Sequence, residues 1–263
     1  MQATLTFLGT GTSMGVPTLG CTCAVCRSAM DPAGDPRNRR TRPSVRLEFA
    51  GHVVLIDTGP DFHAQALREN ITRVDAVFYT HHHADHILGM DDLRPLTFKN
   101  PEDLPLYADE PTAEVIRRIF NYTFRTVDRY ATSARVKLHP LPTEPDAYTD
   151  VFGAHFQRIP VIHGREIITG YRFGSAAYIT DMSDLAPASI DLLLGLDVLK
   201  AKSEGNRSEA ETSLLERATF ELQVAFLEIT QALARSAAAK QQAQQPGAPF
   251  GAPTPGGRPS IVR

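Results

Sequence analysis

The sequence predicts an α/β fold in which helices cover sheets. Nine short runs rich in β-branched and aromatic residues lie between Thr4 and about Thr180, each bounded by Gly, Pro, Asp or Asn. Segments with helical start signals are interspersed among them. After about Ile190 the strand signal stops. Strands in such number with helices between them indicate layered sheets rather than a bundle. The expected organisation is a folded domain over 1–195, a helical extension over 196–240 and a disordered tail over 241–263.

The first run, "TLTFLG", leads into "GTGTSMG", a glycine-rich loop that lacks the lysine of a phosphate-cradling P-loop, so its glycines are read as permitting tight turns beneath a site. "GCTCAVC" follows and holds all three cysteines, Cys21, Cys23 and Cys26. An odd number of thiols so close together suits metal binding better than a disulfide framework. Arg39, Arg40 and Arg42 form a basic loop that can meet a phosphate but reads first as a solvated face. "SVRLEFA", "HVVLIDTG" and "DAVFYT" are strands, with a helix at "DFHAQALREN" between the last two. "LPLYAD" is a strand and "PTAEVIRRIFNYTF" a helix that starts at Pro111 and Thr112. "VKLHPL", "FGAHFQRIPVI", "IITGYRF" and "AAYIT" complete the strands.

Beyond Ile190 the second helical stretch opens with a capping box, Ser208 with Glu211. Leu215, Ala218, Leu222, Ala225, Ile229 and Leu233 then recur at spacings of three and four, one face of a long helix. That face must be covered by this domain, by a preceding helix or by a second copy of the chain. The last residues, "QQPGAPFGAPTPGGRPSIVR", are rich in Pro and Gly, which is the basis for expecting disorder.

A formal net charge of −3 and a pI near 6.3 give no general attraction to nucleic acid or anionic membranes. No apolar run approaches the roughly 18 residues of a membrane span, and the first residues do not read as a signal peptide. The expected location is cytoplasmic, with no membrane partner and no specific nucleic acid.

"THHHADHILGMDD" places four of the nine histidines, His81, His82, His83 and His86, around Asp85. In an extended segment His81 and His83 leave the same face, where both can bind one ion. Asp85 and His86 follow at a turn, where they can face a second ion. Imidazole and carboxylate suit zinc, manganese or iron, and two such ions about 3.5 to 4 Å apart form a hydrolytic site.

With these residues the chain resembles the metallo-β-lactamase superfamily, whose signature H-x-H-x-D-H is matched by His81, His83, Asp85 and His86. "LIDTGPD" with Asp57 is similar to the strand-end aspartate that supports the metal loop, "PVIHG" to the next ligand, His163, and "YITDMSD" to the bridging carboxylate, Asp181. The cysteine-rich loop and "HHHADHILGMDDLRPL" are similar to the branch of phosphoribosyl cyclic phosphodiesterases, over residues 3 to 185. The resemblance implies an αββα sandwich with metals at one edge of its two sheets. It further implies two divalent ions, zinc or manganese: one on His81, His83 and His163, the other on Asp85, His86 and Asp181. Asp85 and Asp181 are the expected catalytic carboxylates, Asp57 fixes an imidazole or the loop, and Cys21, Cys23 and Cys26 hold a structural zinc. Asp91, Asp92 and Arg94 are expected to brace the metal loop, and His82 stands at the variable position of the signature.

The sequence departs from that family after "ITDMSDLAPASIDLLLGLDVLK". A complete site takes a further histidine on the second ion, yet no residue of the sequence after His163 is a histidine. The sandwich is therefore expected to be incomplete at its C-terminal end and the second ion to bind weakly, and the structural zinc needs a fourth ligand from elsewhere. "AKSEGNRSEAETSLLERATFELQVAFLEITQ" resembles instead a small all-helical bacterial family of unknown function, as at a junction between two genes. The leading expectation is a metal-dependent hydrolase of a small phosphodiester, cyclic esters included, acting through a metal-bridged hydroxide and impaired by the lost ligands. The alternative is a non-enzymatic metal-binding or dimerisation protein whose helical tail forms a homodimer. Hydrolysis of a thioester or lactam uses the same ion pair.

Overall fold

The computed structural model describes residues 2–98, 100–144 and 147–195, together with Ser213, Glu216, Arg217 and Val224, which are helical. The expected capping box, apolar stripe, dimer face and terminal tail otherwise lie outside the described residues.

Among the described residues, ten strands form two sheets. The first sheet contains β1 (Ala3–Gly9), β2 (Ser44–Phe49), β3 (His52–Ile56), β4 (Ala76–Phe78), β5 (Leu104–Ala108) and β6 (Val136–Pro140), in that spatial order. Its first three strands are antiparallel neighbours, and β3 to β6 run parallel. The second sheet is antiparallel, in the order β10 (Ala176–Tyr178), β9 (Glu166–Phe173), β8 (Ala154–His163), β7 (Tyr148–Val151). Nine strands correspond to the nine expected runs. The tenth, β7, was not foreseen: "YTDV" is short, carries an aspartate and is half exposed, so it lacks the alternation that marks a strand.

Strand alternation sorts side chains between layers. Val54, Ile56, Ala76 and Phe78 turn toward Phe156, Tyr171 and Tyr178 of the second sheet and form the core between the sheets. Leu55 and Val77 turn the other way, toward α2 (Phe62–Arg68), α3 (Ala84–Ile87) and α5 (Glu110–Ile119). On the far side Ile159, Val161 and Ile168 pack against α6 (Pro187–Leu194) through Ile190 and Leu192. The result is helix, sheet, sheet, helix, the αββα arrangement expected.

Two helices differ from expectation. The predicted helix over 111–124 begins one residue earlier, capped by Asp109 accepting from the Thr112 N–H, and ends at Ile119. Its later aromatics Phe120, Tyr122 and Phe124 pack on the core from turns instead. A short helix, α1 (Ala24–Met30), lies within the cysteine loop, with the Cys23 sulfur accepting from the Cys26 N–H at its start. α4 (Arg94–Thr97) follows the metal loop.

Candidate metal centre

Four chain segments meet at the strand ends. Asp57 follows β3, His81 and His83 follow β4, His163 ends β8, and Asp181 lies three residues past β10. The loops outside the carboxyl ends of strands are where open α/β sheets gather ligands, and here the second sheet contributes from its own ends.

Asp57 and Asp181 both have left-handed backbones, φ 63° and 52°. Non-glycine residues rarely adopt that region, and Asp and Asn do so most readily. The turn after β3 lies directly against α3. The Thr58 N–H donates to the His86 carbonyl at 2.9 Å, and the Gly89 N–H donates to the Thr58 carbonyl at 2.8 Å. A Cβ on Gly59 would stand 2.0 Å from the Asp85 carbonyl oxygen, so only glycine permits this approach.

Ligand atoms of His81, His83 and His163 all lie within 4.8 Å of one another, and so do those of His81, His86 and Asp181. The residues of the first expected set thus lie together, whereas in the second group His86 and Asp181 are joined by His81 and not by the expected Asp85. Asp181 Oδ2 stands 2.9 Å from His86 Nε2 and 3.5 Å from His81 Nε2, and Asp85 Oδ2 stands 3.3 Å from His86 Nε2. His81 Nε2 and Asp85 Oδ2 are buried and make no hydrogen bond. Buried polar atoms without partners are costly in a finished fold, and two of them aimed into one cluster of imidazoles and carboxylates fit a divalent cation.

Behind the cluster Asp57 is fully buried. Its Oδ1 accepts the Thr80 N–H at 2.8 Å, and its Oδ2 takes the Thr80 hydroxyl at 2.8 Å and His86 Nδ1 at 2.7 Å. The electrostatics follow from this packing. Burial opposes charge on His86, but Asp57, Asp181 and Asp85 outweigh it and raise its pKa to about 12. Burial, reinforced by His86 and His83, pushes His81 down to about 3. The bond to His86 holds Asp181 at about 2.

Above the cluster a cavity of about 620 Å³ is lined by Thr10, Thr12 and Ser13 on one side and by His83, Asp85, His163 and Asp181 on another. The glycine-rich loop thus forms part of the wall over the site. Glu166, in the β8–β9 turn region, was not anticipated: its Oε2 lies 3.8 Å from His83 Nε2 and 3.9 Å from His82 Nε2. A single glutamate two residues after a glycine carries no sequence signal, and only the hairpin brings it there.

The three cysteine sulfurs also lie within 4.8 Å of one another. N–H groups point at them: Thr18 to Cys26 Sγ and Cys26 to Cys23 Sγ, both at 3.4 Å. The Cys26 N–H and the neighbouring thiols lower the Cys23 pKa to about 7, which favours thiolate. His139 packs on Tyr107 and His155 on Tyr148, and neither joins the cysteine group. Arg42 pairs with Asp61 at 3.0 Å, and Arg39 donates to the carbonyls of Ala29 and Asp31, so both brace loops. Arg94 pairs with Asp91 at 3.2 Å.

Comparison with known proteins agrees with this geometry. The family described as beta-lactamase superfamily domain matches residues 52–211, more than half of the chain. A crystal structure described as a new diphosphatase from the PhnP family is 51% identical, with a TM-score of 0.64, over 73% of this chain and 70% of its own. An octanoyltransferase of Porphyromonas gingivalis is 40% identical over 187 residues, 71% of this chain and 36% of that protein. A ribonuclease Z of Methanococcus maripaludis is 28% identical over 167 residues, 60% of this chain and 44% of its own. The chain therefore spans less than half the length of these two curated relatives.

Proposed function

The chain belongs to the beta-lactamase superfamily, and from that premise we propose that it is a metal-dependent hydrolase that cleaves a small phosphodiester. The observation that carries the reading is the pair of buried, unbonded ligand atoms, His81 Nε2 and Asp85 Oδ2, in a cluster whose His83, Asp85, His163 and Asp181 line a cavity together with hydroxyl side chains. The names of the relatives favour phosphorus chemistry: a diphosphatase and a ribonuclease both break bonds between phosphorus and oxygen. The octanoyltransferase name carries less weight, because the shared segment is about a third of that protein.

In this reading His81, His83 and His163 would hold one divalent ion, zinc or manganese, and Asp85, His86 and Asp181 would hold another. When bound, such ions supply Lewis acidity toward phosphoryl oxygens and toward a nucleophilic water. The chain's own groups do the rest. Asp85 and Asp181 are the catalytic carboxylates, acceptor-only groups that orient the attacking water through its protons. Thr10, Thr12 and Ser13 offer hydroxyl donors to the phosphate on the opposite wall. Asp57 keeps His86 Nδ1–H occupied, so that Nε2 is the atom presented to the ion. Cys21, Cys23 and Cys26 hold a structural zinc that stiffens the loop beside Thr18.

No residue after His163 in the sequence is a histidine, so the second ion would bind more weakly than the first. A cavity of about 620 Å³ and the formal charge of −3 favour a small ester over a folded RNA. Clustered free thiols favour a reducing cytoplasm, and among the described residues no helix is long and apolar enough to cross a membrane.

The test is hydrolysis of bis-p-nitrophenyl phosphate by protein reconstituted with manganese or zinc, with metal per chain measured in parallel for wild type and His83→Ala. Turnover that needs added metal, and a metal content that falls in the variant, are expected. Metal-replete protein that turns over no phosphodiester, diphosphate ester, thioester or lactam would favour the metal-binding, non-enzymatic alternative.

A further inference from the structure

We propose that Thr80 is a positioning residue that fixes the tautomer of His81, so that the single carboxylate of Asp57 orients two imidazoles, one directly and one through a hydroxyl. Thr80 is fully buried immediately before the histidine cluster. Its Oγ1 lies 2.8 Å from Asp57 Oδ2 and 3.0 Å from His81 Nδ1. Those two contacts share one hydroxyl proton, and the chemistry of the partners decides where it goes.

A carboxylate can only accept, whereas a neutral imidazole nitrogen can donate or accept according to its tautomer. If the Thr80 hydroxyl donated to His81 Nδ1, two oxygens would face one another at 2.8 Å with no proton between them. Oδ2 of a fully buried carboxylate would then lose a donor that nothing nearby replaces, the costly outcome for a buried acceptor. The hydroxyl therefore donates to Asp57, its lone pair accepts from His81 Nδ1–H, and His81 Nε2 carries the free lone pair. That Nε2 is the buried atom without a hydrogen bond. His86 is oriented alike, its Nδ1 on the same Asp57 oxygen at 2.7 Å.

Thr80 is held in place independently of its hydroxyl. Its N–H donates to Asp57 Oδ1 at 2.8 Å, and its carbonyl accepts from the Thr169 N–H of β9 at 2.9 Å. Valine at this position keeps both backbone bonds and the side-chain shape and removes only the relay.

The inference rests on the metal-site part of the function proposed above and not on the substrate, so a protein that binds metal but cleaves no phosphodiester leaves it standing. The decisive measurement is long-range proton–nitrogen NMR of metal-free protein labelled at histidine nitrogen, with His81 assigned from the signal lost in His81→Gln. His81 is expected to carry its proton on Nδ1. In Thr80→Val the Nε2–H form should appear, and affinity for the first zinc or manganese ion, titrated against a competing chelator, should fall about 10- to 100-fold. Thr80→Ser should restore both. A wild-type His81 protonated on Nε2, or a valine variant with unchanged affinity and an unchanged His81 spectrum, overturns the proposal. Should Thr80→Val fail to fold, the wild-type spectrum and the serine variant still decide.

Discussion

Asp57 Oδ2 and His86 Nδ1 stand 2.7 Å apart, both side chains wholly buried, although 29 positions separate them in the chain. This contact joins the turn after β3 to the helix that presents Asp85 and His86. Removing the charge of Asp57 leaves the His86 and Thr80 donors facing an amide. Asp57→Asn should destabilise metal-free protein by roughly 3–5 kcal/mol, as when one partner of a buried ion pair is lost, and weaken metal binding about 10- to 100-fold. Thermal denaturation in chelator and metal titration measure the two effects, and an unchanged melting temperature would contradict them.

Gly59 tests the same junction sterically. A methyl group there meets the Asp85 carbonyl oxygen at 2.0 Å, a backbone atom that cannot rotate away. Gly59→Ala should cost about 1–3 kcal/mol and displace the helix carrying Asp85 and His86. A lower melting temperature together with reduced metal per chain is expected. Gly153→Ala is the control for space, since a Cβ there meets nothing within 4 Å, although its φ of 76° also carries backbone strain.

The pH dependence of metal-free protein follows from His86. Its pKa is raised from 6.5 to about 12, with burial opposing and Asp57, Asp181 and Asp85 prevailing. A base whose value is raised on folding contributes stability that is complete below 6.5 and is lost as pH rises through about 12. Chelator-treated protein should therefore melt at progressively lower temperature between pH 7 and pH 10, with a shallower slope in His86→Gln. Equal slopes for the two proteins would remove His86 from the account.

The cysteine loop makes a separate prediction. Loss of one sulfur from a three-sulfur group leaves too few soft ligands for tight zinc. Cys23→Ser should release about one zinc per chain to a colorimetric chelator while leaving metal at the histidine cluster. Val16 bridges to Arg40 between this loop and the strand region, through N–H to carbonyl bonds of 2.9 Å in both directions. KM should accordingly rise more than kcat falls, because the Thr10–Ser13 wall shares that loop. Zinc release equal to wild type contradicts the reading.

The chain's own pattern determined much of this protein. Runs rich in β-branched residues such as "HVVLI" marked the strands and hence sheets covered by helices, while the αββα order of the layers was what the resemblance of the histidine motif implied. The spacing of His81, His83, Asp85 and His86 was legible too, because residues this close in sequence can meet without long-range information. "YTDV" escaped notice because an edge strand with a half-exposed, charged pattern resembles a loop. The helix at 111–124 was drawn too long because its last aromatics are as apolar as helical core residues, and only packing bends them into turns.

Tertiary structure alone decided how distant residues combine. Glu166 reaches His82 and His83 through a hairpin, Thr80 touches Asp57 and His81 at once, and Thr10 to Ser13 face the ligand cluster across the cavity. None of these relations has a period or a spacing. They depend on strand ends from two different sheets converging at one edge, and on two aspartates held in left-handed backbone conformations that close packing imposes and local propensity does not. Local physics writes the layers and the ligand motif into the sequence; the orientation of each ligand's lone pair is fixed only when the layers pack.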